Sequence, residues 1–377
     1  MYIKSTKNQN KKLSITVYNN TALIYEKRNL GRSKSDLTIE YFDISKYIIE
    51  TSLIVSGINY NFLDINYLCC TKNTKNDNKN NIPDPCLTCE RLIPNSILIK
   101  GNNYNCREIE VYYLTENIRW LSSYIVILEE ETLKIRSWFN LTNNSGIDYL
   151  NTDIKFVAGN VRLPQGGPII PYKSAALDAS SIEVEELRDY YSYTLADKYD
   201  VLNNTLKKIK NFSTYDVSYR KIYDFGYNKT VADITIKFLN TTENNLGFTL
   251  PSGDVFVYES NNNRLEFLGG NSIENIGENR EVSLVIGEAL DVTAKRNILE
   301  NIRYNDYTLK RVQFIITNTR DEDVSISISE AIYSPWQMED STDNFTLDPN
   351  GNPVFKGIVP ANSEREIIFS YRYDINI

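Results

Sequence analysis

A chain of 377 residues with 49 acidic against 41 basic side chains, a net charge of −8 and not one histidine is bounded at once in the chemistry it can do. Without imidazole there is no Ser-His-Asp triad, no Cys-His pair, no HExxH zinc site and no imidazole general base. Lys and Arg are scattered among carboxylates, so no basic stripe exists to neutralise nucleic-acid phosphates.

Hydrophobic residues at 41% and aromatics at 12% place the chain in the globular class, and abundant Tyr, Ile, Val and Thr favour strands over helices. The opening run Met1–Asn10 is polar and lacks the apolar stretch of a signal peptide. No run approaches about 18 apolar residues. The expectation is a protein without a membrane span, cytoplasmic by default, with packaging in a particle or unconventional surface display as other destinations. Enrichment in Asn, Lys, Ile and Tyr points to an AT-rich genome. Triplets such as Asn140-Leu141-Thr142 therefore carry no weight as glycan acceptors.

In chain order, Thr71–Pro85 is dense in Asn, Lys and Asp and reads as an irregular insertion. All five cysteines lie in and around it, at Cys69, Cys70, Cys86, Cys89 and Cys106. Cys86 and Cys89 have the CxxC spacing that lets two thiolates reach one tetrahedral metal. Three readings stand side by side: a structural zinc knuckle using four of the five, disulfides within or between subunits, or unpaired, incidental cysteines.

Leu133, Ile135, Phe139 and Leu141 then alternate with polar neighbours and predict a half-buried strand. Trp138 falls on its other face with Lys134 and Arg136. There it is either a stacking platform for sugar rings or a partner, or a ring buried between two sheets. Asn143-Asn144-Ser145-Gly146 is a turn signal, and Leu163–Ser180 is rich in Pro, Gly, Ala and Ser and reads as a loop. A short helix is expected around Val184–Tyr193. Further alternating strands are predicted at Ile234, Ile236 and Phe238, at Val324, Ile326 and Ile328, and at Ile367 through Ile375. Turns at Thr319–Asp323 and Asp348–Gly351 separate them as hairpins. The Asp348 turn has Gly at its fourth position, not the sixth that a calcium loop needs. Glu330 is in phase with the apolar face of its strand. It is either a buried general acid with a raised pKa or a structural carboxylate satisfied by an Arg or by backbone amides.

The predicted fold is all-β, with few or no helices. It comprises linked antiparallel β-sandwich domains: an N-terminal domain over 1–112 with its cysteine-bearing insertion at about 69–106, a central sandwich over 113–230, and an immunoglobulin-like sandwich over 231–377.

Several phrases in order along nearly the whole chain resemble the family grouped as domain of unknown function 4139, whose relatives include mucoidy-inhibitor-like proteins. Near the start these are Ile15-Thr16-Val17-Tyr18-Asn19-Asn20 with Ala22-Leu23-Ile24 and Arg28. The middle carries Trp120, Tyr124, Trp138, Asn144-Ser145-Gly146 and Val157-Ala158-Gly159. Later come Asn240, Leu246-Gly247, Leu250-Pro251-Ser252-Gly253, Val257-Tyr258 and Gly287-Glu288-Ala289-Leu290-Asp291-Val292, then Asn318, Glu330 and Trp336. The chain departs from that pattern in three ways. The His-Thr-Pro-like stretch reads Glu274-Asn275-Ile276-Gly277-Glu278-Asn279, the signal peptide or coiled coil of many relatives is missing, and the cysteine insertion is added. The resemblance implies linked β-sandwiches and no established reaction or ligand.

Three functions follow as expectations. The first is a non-catalytic structural or protein-interaction protein that engages itself or other proteins through edge strands, assembling into a filament, coat or surface layer. The second is a carbohydrate- or ligand-binding module using Trp138. The third is a glycosidase-type enzyme working with carboxylates alone.

Overall fold

Alternating apolar residues dominate the chain because a half-buried strand exposes one face and buries the other. The computed structural model describes residues 1–31, 36–70, 91–102, 107–159, 183–187, 190–261, 264–332 and 335–374. Among them there is no α-helix, and the helical content is two single 3-10 turns at Lys7–Gln9 and Thr242–Asn244. The all-β sandwich-type fold expected from the sequence is what the chain adopts.

Two compact units form. Met1–Ser122 with Trp138–Asn211 makes unit 1, and Ser123–Ser137 with Phe212–Ile377 makes unit 2. The chain passes from one unit to the other inside strands, at Ile118–Leu128, Thr132–Asn143 and Thr205–Ser218. The boundary expected near 112 falls inside the strand Glu108–Glu116, and the one near 230 falls just ahead of Val231–Asn240.

Unit 1 contains an eight-stranded sheet. Its order is Glu183–Leu187, Tyr190–Thr194, Tyr149–Ala158, Asn10–Val17, Thr21–Asn29, Glu108–Glu116 and Ile48–Ser56, with Tyr199–Val201 pairing beside Tyr149–Ala158. A four-stranded sheet runs Tyr2–Ser5, Asp36–Phe42, Arg91–Asn102 and Tyr60–Cys70. The inward residues of both sheets form one core, with Ile15, Ile24 and Val111 from the larger and Ile39, Tyr41, Ile97 and Ile99 from the smaller. Trp120, Phe139, Phe156 and Tyr193 form an aromatic cluster in it, with Trp120–Phe156 centroids 5.0 Å apart and Phe139–Phe156 centroids 4.8 Å apart. Each such pair contributes about 0.5–1.5 kcal/mol beyond its burial.

The expected helix at Val184–Tyr193 is not formed. Glu183–Leu187 and Tyr190–Thr194 pair as antiparallel strands, with Val184 opposite Tyr193. Tyr190–Thr194 also pairs with Tyr149–Ala158, and burying Tyr193 against Phe139 and Trp120 outweighs any weak helical preference. The sheets are also not purely antiparallel. Tyr2–Ser5 runs parallel to Asp36–Phe42, and Tyr149–Ala158 runs parallel to Asn10–Val17.

Unit 2 contains a nine-stranded sheet in the order Trp336–Ser341, Ser363–Asp374, Tyr307–Asn318, Arg280–Arg303, Val231–Asn240, Arg220–Phe225, Val324–Ser329, Pro353–Val359 and Phe345–Leu347. Arg220–Phe225 runs parallel to Val324–Ser329. The segments 123–128, 132–137 and 212–218 join the hairpin Gly253–Asn261/Arg264–Ile273 in a further sheet, with Arg264–Ile273 outermost. Two apolar cores result, and the 24-residue strand Arg280–Arg303 serves both. Val282, Leu284 and Ile286 enter one core, and Ala289, Val292 and Ala294 enter the other. Register shifts against Val231–Asn240 fall between Val285 and Gly287 and between Ala289 and Thr293, and such bulges re-aim a strand's side chains.

The turn signals are real, but only one closes a hairpin. Asp348–Gly351 joins the antiparallel strands Phe345–Leu347 and Pro353–Val359. There Gly351 takes φ 81°, and the Asp348 carboxylate accepts from the amides of Asn350 and Asn352 at 2.8 Å each. Asn143–Gly146 and Thr319–Asp323 instead join strands that do not pair with each other. Asn143 and Asn318 each accept from the amide two residues on, at 3.0 Å. That local closure satisfies the turn wherever the next strand goes.

Candidate functional site

The sequence-nominated positions do not converge on one site. Cys69 and Cys70 end the strand Tyr60–Cys70, opposite Leu92 and Arg91, while Cys86, Cys89 and Cys106 lie outside the described residues. Among the described residues no group of three His, Cys, Asp or Glu side chains is placed to hold a metal ion.

Trp138 is half-buried on the outward face of Thr132–Asn143, not enclosed between sheets. Lys208 Nζ stands 4.2 Å from its ring centroid, a cation–π contact worth about 0.5–1 kcal/mol at an exposed site.

Glu330 is 2% exposed. Arg296 donates to it bidentately, Nε to Oε2 at 2.8 Å and a terminal nitrogen to Oε1 at 2.5 Å. The Tyr371 hydroxyl donates to Oε1 at 3.1 Å. The bond to Glu330 raises the Arg296 guanidinium further, and burial, then the Glu330 charge, pushes the Tyr371 phenol up. The bidentate Arg296 pairing is the partner that the structural reading of Glu330 calls for.

A polar cleft of about 250 Å³ lies in unit 1. One wall is the turn Lys7–Gln9 and the start of Asn10–Val17, which contribute Lys7, Asn8, Asn10, Lys11 and Lys12. Tyr149–Asn151 and Lys198 form the opposite side. Asp43 and Asn151, both lining residues, hold left-handed backbone at φ 60° and 49°. Such conformations are costly away from Gly, Asn and Asp. They are fixed by side chain–backbone bonds: Lys7 N donates to Asp43 Oδ2 at 3.0 Å, and Asn151 N donates to Asp200 Oδ1 at 2.7 Å.

Glu26, which also lines this cleft, belongs to a buried network. The strand Thr21–Asn29 turns Ala22, Ile24, Glu26 and Arg28 to the core, and Arg28 is 0% exposed. Arg28 donates twice to Glu26 Oε2, from Nε at 2.9 Å and a terminal nitrogen at 2.5 Å. It also donates to Asn10 Oδ1 at 2.9 Å and to the carbonyls of Ser5 and Phe42 at 3.1 and 2.9 Å. Its guanidinium lies 3.6 Å from the Tyr41 ring centroid, and the Tyr41 hydroxyl donates to Glu26 Oε2 at 2.5 Å. Burial first, and then the Glu26 charge, pushes the Tyr41 phenol far up, so it stays protonated as a donor.

Charge at the cleft is mixed. The lining residues include Lys7, Lys11, Lys12 and Lys198 with Glu26, Asp43 and Asp148, and Lys11 pairs with Glu108 at 2.5 Å and Lys198 with Asp153 at 3.3 Å. Sequence reading passed over Glu26 and took Arg28 only as part of a motif, yet the signal of a buried pair was present. Both sit at even positions in phase with Ala22 and Ile24, where a strand has no place for unpaired charge.

In unit 2 the hairpin Gly253–Asn261/Arg264–Ile273 ends its sheet with an outermost strand. Every side chain from Arg264 to Leu268 is exposed, with Leu265 at 54% and Phe267 at 59%. Phe267 packs on Tyr258 across the hairpin, centroids 5.4 Å apart. The close of Arg280–Arg303 is similar, with Ile298, Leu299, Ile302 and Tyr304 all exposed.

No protein-family model matches the chain, and no curated protein matches it. The resemblance to the domain of unknown function 4139 family rests on its motifs alone.

Proposed function

We propose that the chain is a non-catalytic interaction protein that associates with copies of itself through the open edge of the Arg264–Ile273 strand. The observation carrying this reading is an outermost strand whose residues Arg264–Leu268 are exposed on both faces. Among the described residues, the strand it pairs with is Gly253–Asn261 alone. Unpaired N–H and C=O groups flanked by Leu265 and Phe267 form a template for another strand, which proteins otherwise shorten, charge or cover.

The sequence of this edge is self-complementary. When two copies pair antiparallel about Leu265, Leu265 meets Leu265, and Arg264 of each copy faces Glu266 of the other, giving an isologous contact. Sedimentation velocity and negative-stain microscopy on the full chain test this. Dimers or ordered polymers are expected from the natural chain, dissociation from Glu266→Arg, and recovery from Arg264→Glu combined with Glu266→Arg. A chain monomeric at about 100 μM, some hundredfold above a micromolar Kd, refutes the reading, as does association that survives Glu266→Arg.

A further inference from the structure

The geometry points to a second site, independent of the association edge: the cleft of unit 1 binds one ring of a neutral sugar, read by Glu26 and Asn10 as a paired acceptor and donor. Arg28 Nε is shared between Glu26 Oε2 and Asn10 Oδ1, each at 2.9 Å. That sharing fixes both side chains. Oε2 takes the donors from Arg28 and Tyr41, and no described residue donates to Oε1. Asn10 spends its carbonyl on Arg28, which leaves the two Nδ2 hydrogens without an acceptor among the described residues.

A carboxylate and an amide that share the Arg28 Nε donor, both on residues lining the cleft, match the adjacent hydroxyls of a sugar. Each hydroxyl both donates and accepts, so one can donate to Oε1 while its neighbour accepts from Nδ2. The pair is also rigid. Arg28 is 0% and Glu26 2% exposed, so no rotamer freedom is lost on binding, which favours affinity.

Two observations narrow the ligand. The acceptor left free at the site is a carboxylate oxygen of Glu26, which disfavours an anion beside it. The volume of about 250 Å³ lies just under the roughly 300–1,000 Å³ of sites for drug-sized ligands, which suits a single ring at a chain end or a monosaccharide.

Saturation-transfer NMR on the full chain, with glucose, galactose, mannose and N-acetylglucosamine at millimolar concentration and inorganic phosphate as the anionic control, tests the proposal. Transfer to at least one of these sugars is expected. Asn10→Asp, which swaps the donor for an acceptor at constant shape, should weaken it about tenfold or more, since it strands a polar pair. Asn8→Trp should abolish it by filling the mouth from an exposed position, with an unchanged melting curve as proof of folding. Trp138→Ala should leave it intact. Silence from all four sugars overturns the proposal, as does binding of phosphate alone, binding that survives both cleft variants, or binding lost in Trp138→Ala.

Discussion

Replacing Arg28 by Met keeps the length of the side chain and removes its charge. Five hydrogen bonds go with it: two to Glu26, one to Asn10 and two to the carbonyls of Ser5 and Phe42. The largest consequence is a Glu26 carboxylate, 2% exposed, left among the described residues with the Tyr41 hydroxyl as its donor. Breaking a buried pair from one side costs about 3–5 kcal/mol. For a unit of this size that corresponds to a fall in Tm of roughly 6–20 °C. Urea unfolding followed by tryptophan fluorescence is a suitable assay, because Trp120 lies in the same core. Adding Glu26→Gln should restore at least about half of the loss, since the amide oxygen still accepts from Tyr41 and no charge is stranded. An Arg28→Met protein within about 1 kcal/mol of the natural chain, or a double variant no better than the single, contradicts the assignment of this pair as a buried structural ion pair.

Two further outcomes are expected. Glu330→Gln should destabilise unit 2 by about 2–4 kcal/mol, because Arg296 loses its bidentate partner. An unchanged melt accompanied by loss of a biochemical activity would return Glu330 to a catalytic role. Stability should be flat between about pH 6 and pH 8, since the chain has no histidine. It should then fall in acid. Lys11 and Lys27 hold the Glu108 carboxyl down to about 2, and the amides of the Asp348 turn hold that carboxyl below its usual range. A depressed carboxyl stabilises the folded state above its unfolded pKa and loses that effect as pH drops toward its folded value. The decline should therefore run from about pH 4.5 toward about pH 2. A step in Tm between pH 6 and pH 7 would count against it.

Strand positions were legible wherever alternation was strict. Val324, Ile326 and Ile328 are buried as predicted, and so are Ile367, Phe369 and Tyr371, because one face of each strand meets a core and the other meets water. Pairing was not legible. That Asn10–Val17 lies parallel to Tyr149–Ala158 depends on residues more than a hundred positions apart, and nothing in either local pattern encodes it. The segment Val184–Tyr193 misled for the same reason: its conformation is decided by the strand it joins. The long strand Arg280–Arg303 also hides its length, since its apolar phase breaks at Ala289, where a bulge, invisible to a strict period of two, re-aims the chain. For the cleft, the alternation of Thr21–Asn29 contained the anomaly of two charges on an apolar face. That Asn10 joins them follows only from the neighbouring strand's register, with Asn10 opposite Arg28.

That same strand has a mechanical consequence. Arg280–Arg303 is a covalent beam with its first part seated among Val282, Leu284 and Ile286 and its middle among Ala289, Val292 and Ala294. Sliding it by one residue turns the anchors of both sets from oil to water together, so tension applied along it is met by two cores at once.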